Sequence, residues 1–206
     1  MTQPLIHIID DDRAVRESLS LLLESAALET RAYPDAETFL AEAALDGPGC
    51  VIADVRMPGI SGIELLRVLR TRGIDLPLIV ISGHADIAMA VRALKDGATD
   101  FIEKPFDDNS ILRSTREALE RDRLCQDLRR RRADIEARAR TLTPREYEVM
   151  DRVVRGLPNK AVAAELGISV RTVEIHRSRV MEKMEADSLS ALVRMALELE
   201  GPPPAG

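Results

Sequence analysis

Cysteine is scarce in this 206-residue chain: Cys50 and Cys125 are the only two, and no histidine cluster accompanies either. That excludes a disulfide framework and a cysteine-based metal cage, and it reads as reduced thiols in a cytoplasmic protein. Long apolar runs are missing too, so no segment is expected to span a membrane. Ahead of three aspartates the N-terminus offers only the short segment Leu5 to Ile9, with no basic stretch and no small-residue cleavage site. Export is not expected. A strongly basic composition is also absent. The net charge is -6, and with 45% hydrophobic and 31% charged residues the chain is a folded globular protein rather than a disordered one.

The charge is uneven. Residues 1–120 carry 12 Lys and Arg against 21 Asp and Glu, residues 121–140 carry 8 against 4, and residues 141–206 carry 9 against 10. This divides the chain into an acidic first domain at 1–120, a basic linker at 121–140 and a near-neutral third region. Any nucleic-acid surface in that third region must come from arrangement rather than from total charge.

The first 120 residues alternate short apolar runs with helical patterns, which predicts βαβ units. Strands are expected at Leu5 to Ile9, Glu29 to Tyr33, Cys50 to Ala53, Leu78 to Ile81 and Thr99 to Glu103. Helices are expected at Arg13 to Ser25, Asp35 to Ala44, Ser61 to Thr71, Ala85 to Lys95 and Asp108 to Leu119. Five βα units make a doubly wound α/β domain with a five-stranded parallel sheet. No glycine or proline falls between Phe106 and Thr143, so the linker is expected to be a helix, with a sparse stripe of Leu112, Leu119, Leu124, Leu128 and Ile135 and a run of four arginines, Arg129 to Arg132.

In such a sheet ligands sit beyond the carboxyl ends of the strands. Those ends carry Asp10, Asp11 and Asp12, then Asp54, then Ser82, then Lys104 and Pro105. Carboxylates gathered at one edge repel one another, and a divalent cation such as Mg²⁺ relieves the repulsion. A lysine across the pocket completes a clamp for a phosphoryl group.

The stretches IIDDD, DVRMPGISGIELL and SGHADIAMAVRALKDGATDFIEKPF, in this βα order, resemble the receiver domain of two-component response regulators. The resemblance implies a flavodoxin-like fold in which Asp54 accepts a phosphoryl group from a sensor histidine kinase. It implies that Asp10, Asp11, Asp54 and the backbone carbonyl of Arg56 hold Mg²⁺, that Ser82 and Lys104 bind the phosphoryl group, and that the Lys104-Pro105 bond is cis. Ser82 stands where threonine is commoner and keeps the hydroxyl. Phe101 occupies the place of an aromatic switch residue without a phenol, so a switch there works by packing.

The last third reads as four helices, at 141–200. Thr143, Pro144 and Glu146 make a helix start, Gly156 a stop, Asn159 to Leu166 a second helix, and Gly167 a turn before a third helix capped by Ser169. Ser188 caps a fourth, and residues 201–206 form a disordered tail. Helix, glycine turn, helix is the skeleton of a helix-turn-helix. On the third helix Val173, Val180 and Met184 face inward. Arg171, Glu174, Ile175 and Ser178 face outward with Arg177, Arg179 and Lys183 beside them. Thr172, His176 and Lys160 complete the set of candidate DNA contacts, although His176 suits capping or packing better, and the pattern alone favours DNA binding over a structural role for the unit only narrowly.

The stretch from Thr141 to Met184 closely resembles the LuxR-type helix-turn-helix, and the whole chain, with FIEKPF, GLPNK and VRMAL, is similar to FixJ-type regulators. That implies a FixL-like sensor kinase, double-stranded promoter DNA and RNA polymerase as partners. It also implies a phosphorylation-driven homodimer paired through the surface around Val91, Lys95 and Arg113, and activation of oxygen-responsive or nitrogen-fixation genes. Near relatives serve other stimuli such as aromatic catabolism. Two readings of other classes stand beside it. A phosphatase of the haloacid-dehalogenase type would use Asp10 and Asp12 but expects threonine or valine at Ala14 and leaves Asp54 unexplained. A protein- or RNA-binding adaptor would bind no specific duplex.

Overall fold

The structure, a computed structural model, describes residues 3–45, 47–83 and 87–200. The tail at 201–206 and the expected start of the fourth helix at Ala85 lie outside the described residues. The chain divides into two compact units between Gln126 and Asp127.

In the first unit, β1 (Leu5–Ile9), β2 (Glu29–Tyr33), β3 (Gly49–Asp54), β4 (Leu78–Ser82) and β5 (Asp100–Glu103) pair in parallel in the order β2-β1-β3-β4-β5. The strand order reverses between β1 and β3, where Ile9 lies opposite Ala53, so Asp10 and Asp54 emerge side by side at the carboxyl edge. The helices are α1 (Arg13–Ser25), α2 (Ala36–Glu42), α3 (Gly62–Thr71), α4 (Ile87–Lys95) and the first part of α5 (Asp108–Ala139). Alternate residues of the central strands feed two cores. Ile6, Ile8, Cys50, Ile52, Ile79 and Ile81 pack with Leu19, Leu23 and Ile111 on one face. Ile9, Val51, Ala53 and Val80 pack with Phe39, Leu65, Leu69 and Ala93 on the other. Burial on both faces explains why these strands read as continuous apolar runs.

β3 and β4 each run one residue past the apolar run, taking in Asp54 and Ser82. Main-chain pairing continues to the edge there, through Val55 N–H to the Ile81 carbonyl (2.9 Å) and Lys104 N–H to the Ser82 carbonyl (2.8 Å). Asp35, expected inside a helix, is an N-cap instead, its side chain accepting from Thr38 N–H, while Ser61 and Glu64 form the capping box that their spacing predicts, Ser61 accepting from Glu64 N–H.

α5 departs more from expectation. It runs unbroken over 32 residues, as the absence of glycine and proline predicts for the linker, and joins the fifth helix of the sheet domain to it, so that the division between the units falls inside the helix. The part before the division is no solvated tether. The buried carboxylate of Asp122 accepts from Gly49 N–H at 3.0 Å, at the amino end of β3, and from Gln126 Nε2 at 2.9 Å.

The second unit contains the rest of α5 with α6 (Pro144–Val154), α7 (Asn159–Leu166), α8 (Val170–Lys183) and α9 (Leu189–Glu200). Ile135 of α5 is buried with Met150, Val180, Met184 and Leu192. Arg131 pairs with Glu198 and Arg132 with Glu136, so these two arginines of the run serve ion pairs within this unit. Thr143 and Glu146 form a reciprocal capping box with Pro144 in the first turn of α6. Gly167 ends α7 in the left-handed conformation (φ 66°), which a side chain would oppose, and Ser169 caps α8 through Thr172 N–H. Among the described residues no helix is long and apolar enough to cross a membrane.

Candidate functional site

The three consecutive aspartates take three different roles. Asp10 is buried at the end of β1, Asp11 is exposed, and Asp12 caps α1 by accepting from Ala14 N–H at 2.8 Å.

Asp10 and Asp54 converge on a single cation. Lys104 Nζ donates to Asp10 Oδ2 at 2.6 Å and to Asp54 Oδ1 at 2.7 Å, and the Lys104-Pro105 peptide that carries it is cis. The second oxygen of each carboxylate is held by a main-chain donor, Asp12 N–H to Asp10 Oδ1 (2.9 Å) and Arg56 N–H to Asp54 Oδ2 (2.7 Å). Burial pushes the Asp10 carboxyl above the ordinary aspartate range, against the lowering effect of the Lys104 hydrogen bond and the Asp12 N–H. Burial also opposes the Lys104 ammonium, yet the hydrogen bonds and charges of the two aspartates together hold its pKa above the usual lysine value. The lysine therefore stays charged and bridges the carboxylates.

Ser82 is buried at the end of β4, and Phe101 is half-buried against the core that contains Val80 and Ala93. Gly62, in the first turn of α3, lies against the back of the site: a Cβ there would sit 2.4 Å from the Asp54 carbonyl oxygen. The donor set is all hard oxygen, which suits Mg²⁺ by its chemistry, although among the described residues no three carboxylates gather closely enough to hold an ion as they stand, and the Lys104 ammonium occupies the place between Asp10 and Asp54. Two carboxylates on one cation, with a buried hydroxyl on the neighbouring strand, make an arrangement suited to holding a phosphoryl group at a carboxylate nucleophile.

Two site-shaping residues carry no sequence signal of their own. Arg16 on α1 donates through Nη1 to the Asp10 carbonyl oxygen at 2.6 Å. Glu37 on α2 accepts from Ile60 N–H at 3.2 Å, steadying the loop after Asp54 where Gly59 has φ 75°. On α4 the exposed apolar side chains are Ile87, Val91 and Leu94, so the surface expected around Val91 and Lys95 is broader and more apolar than the sequence suggested. Arg113, on α5, is exposed and pairs with Glu117.

In the second unit Val173, Val180 and Met184 are buried as expected. Lys160, Arg171, Glu174, Ile175, Ser178 and Arg179 are exposed, and Thr172 and Arg177 are half-buried, Arg177 donating to Asn159 Oδ1. His176 is half-buried with Nδ1 shielded and without a hydrogen-bond partner, which supports the packing role. Lys183 departs from expectation. Its ammonium turns inward to Glu146 (2.6 Å) and the Thr141 carbonyl (3.0 Å), leaving it committed within the unit rather than offered to a phosphate. Glu146 sits 37 positions away in sequence, and the local pattern marks it only as a capping residue.

Comparison with known proteins gives two family matches. Residues 6–116 match the response regulator receiver domain, and residues 140–196 match bacterial regulatory proteins of the luxR family. The chain is 48% identical over 200 residues to the transcriptional regulatory protein FixJ of Azorhizobium caulinodans, covering 97% of this chain and 94% of that one. It is 41% identical over 196 residues to the response regulator protein TodT of Pseudomonas putida, covering 95% and 86%. Among solved structures, the response regulator StyR superposes with a TM-score of 0.87 at 38% identity, covering 96% of this chain and all of that one.

Proposed function

Because the chain belongs to the response regulators, as a FixJ-like receiver joined to a LuxR-type DNA-binding domain, we propose that it is a transcription factor switched by phosphorylation of Asp54. The observation that carries this reading is the Lys104 bridge between Asp10 and Asp54 at the carboxyl edge of the sheet. A carboxylate oxygen of Asp54, steadied by Arg56 N–H, attacks the phosphorus of a sensor kinase's phosphohistidine. The P–N bond breaks, its electron pair stays on the imidazole, and an acyl phosphate forms on Asp54. Receiver domains generally bind Mg²⁺, and here Asp10, Asp11, Asp54 and the Arg56 carbonyl would hold it. The ion would neutralise charge on the phosphoryl oxygens. Lys104 then pairs with the phosphoryl group, Ser82 donates a hydrogen bond to it, and Phe101 repacks against the neighbouring core, biasing a two-state equilibrium.

The expected consequence is pairing of two receivers through the α4, β5 and α5 surface, where Ile87, Val91 and Leu94 expose apolar area beside Lys95 and Arg113. Two copies of α8 then meet two half-sites on promoter DNA, with Arg171, Thr172, Glu174, Ile175 and Ser178 toward base edges and Lys160, Arg177 and Arg179 toward phosphates. The kinase is FixL-like, the setting is the cytoplasm, and the output is activation through RNA polymerase of oxygen-responsive or nitrogen-fixation genes. The FixJ likeness supports that pathway, and the TodT likeness supports a second one for which the same machinery serves another stimulus.

Sedimentation velocity of wild type and Asp54→Asn, with and without acetyl phosphate and Mg²⁺, tests the switch without the kinase. Dimer formation only in wild type with both additives is expected. Unchanged mass and no retained phosphate on wild type would overturn the reading.

A further inference from the structure

Every polar atom of Asp10 has a partner, and the four partners come from different parts of the receiver. Its N–H donates to the Tyr33 carbonyl of β2 (3.3 Å), Oδ1 accepts from Asp12 N–H, Oδ2 accepts from Lys104, and its carbonyl accepts from the Arg16 guanidinium. Two of these are main-chain contacts that the fold supplies, and Lys104 belongs to the site. Arg16 stands outside the site, half-buried on the second turn of α1. At 2.6 Å this charge-assisted bond is shorter than the usual range of about 2.7–2.9 Å for a charged nitrogen donor on oxygen.

The Asp12 carbonyl is fixed by the first main-chain bond of α1, from the Arg16 N–H at 3.1 Å, so the Arg16 side chain accounts for the fixing of the Asp10 carbonyl alone. Asp11 lies between the two carbonyls. Asp11 is exposed, and the backbone on either side of it sets where its Cα–Cβ bond points.

We propose that Arg16 is a positioning residue for the acidic pair. Through the Asp10 carbonyl it orients the peptide from which Asp10 and Asp11 project, and so sets the affinity of the unphosphorylated receiver for a divalent cation without touching the phosphoryl group. This rests on the reading of the site given above. A main-chain orienting contact of this kind acts on a metal site as an outer-sphere hydrogen bond does on a ligating histidine, where loss typically costs tenfold or more in affinity.

The test uses the full chain and Mg²⁺ alone. Isothermal titration calorimetry is run on wild type, Arg16→Met, which keeps the aliphatic stem, and Arg16→Lys, which keeps a cationic donor. Thermal unfolding of each is followed by circular dichroism. Arg16→Met is expected to weaken Mg²⁺ binding about tenfold. Phosphorylation by acetyl phosphate, a donor too small to need a docking surface on α1, should slow at limiting Mg²⁺ and recover at saturating Mg²⁺. Arg16→Lys should recover part of the affinity. Should Arg16→Met fail to fold, the affinity of Arg16→Lys decides, with an intermediate loss expected. A folded Arg16→Met with wild-type Mg²⁺ affinity overturns the positioning role alone. Wild type that neither binds Mg²⁺ nor takes up phosphate overturns the reading of the site as well.

Discussion

Lys183 and Glu146 form an ion pair of 2.6 Å in which the carboxylate is buried and the ammonium is only partly exposed. The pair ties the end of α8 to the first turn of α6, and the same carboxylate accepts from Thr143 N–H at 2.9 Å. Removing the ammonium leaves a buried charge with one fewer partner, a change that typically costs a few kcal/mol.

Lys183→Met is therefore expected to lower the stability of the second unit by about 2 kcal/mol while leaving the salt dependence of DNA binding unchanged. Arg179→Ala, at an exposed position assigned to phosphate, should do the reverse, with stability kept and the slope of log affinity against log salt reduced by about one. Fluorescence anisotropy on a labelled operator duplex at several salt concentrations, paired with urea unfolding, separates the two. A reduced slope for Lys183→Met would return that lysine to the phosphate-contacting set.

Acid should weaken the two units in different pH windows. His7 is buried in β1, its Nδ1 3.1 Å from the Tyr33 hydroxyl, and burial followed by the charge of Arg31 lowers its pKa to about 4. The ring is neutral in the fold but protonates near pH 6.5 when unfolded. Stability is therefore intact above pH 6.5 and declines as pH falls toward 4, by about 3 kcal/mol over the full range. Glu146 has its pKa lowered to about 2 by the Lys183 hydrogen bond first and the Thr143 N–H second. Its contribution is present above pH 4.5 and is lost as pH falls from there toward 2. Urea midpoints measured across pH 3 to 8 should show the receiver softening first, and His7→Leu should flatten the upper window while leaving the lower one in place.

Gly62 leaves no room behind Asp54. Its replacement by alanine would bring a methyl group 2.4 Å from the Asp54 carbonyl oxygen and 3.4 Å from Ala53 Cβ. Neither the strand end nor the first turn of α3 can retreat without disturbing the capping box of Ser61 and Glu64. Gly62→Ala is expected to cost roughly 1–3 kcal/mol in thermal unfolding and to slow acetyl-phosphate uptake. Wild-type stability would mean that the α3 end moves freely.

Lys104→Met removes a cation that competes with any divalent ion for Asp10 and Asp54. Mg²⁺ affinity measured by calorimetry should rise about tenfold on Coulombic grounds, while the phosphorylated chain should no longer dimerise. Weaker Mg²⁺ binding would show that the ammonium orders the carboxylates more than it competes for them.

The strands were legible because burial on both faces writes each as an apolar run, and β1, β2, α1 and α7 begin and end where turn residues and caps say they should. Asp54, Ser82 and Lys104 were legible because each stands at the end of such a run. Asp10 stood out from Asp11 and Asp12 only in the structure, since three identical neighbours take opposite roles through a half-turn of backbone. Arg16, Glu37 and the Glu146 partner of Lys183 were hidden for two reasons. The Glu37 and Glu146 contacts join segments far apart in sequence, and the Arg16 and Glu37 contacts are to main-chain atoms that no side-chain pattern records. The division inside α5 was hidden by composition: without glycine or proline the chain gives no sign of where one set of buried contacts ends and another begins.

That division has a bearing on how such proteins can be recombined. The family resemblance of the receiver stops at residue 116, yet Asp122 closes the amino end of the strand that carries Asp54 at its other end. A chimera joined at the family boundary would leave the buried Gly49 N–H without its acceptor and start the new output domain from a frayed helix. The transferable module is the receiver together with residues 117–126. A junction placed after Gln126 would let this sensory half be grafted onto a foreign effector with its sheet intact.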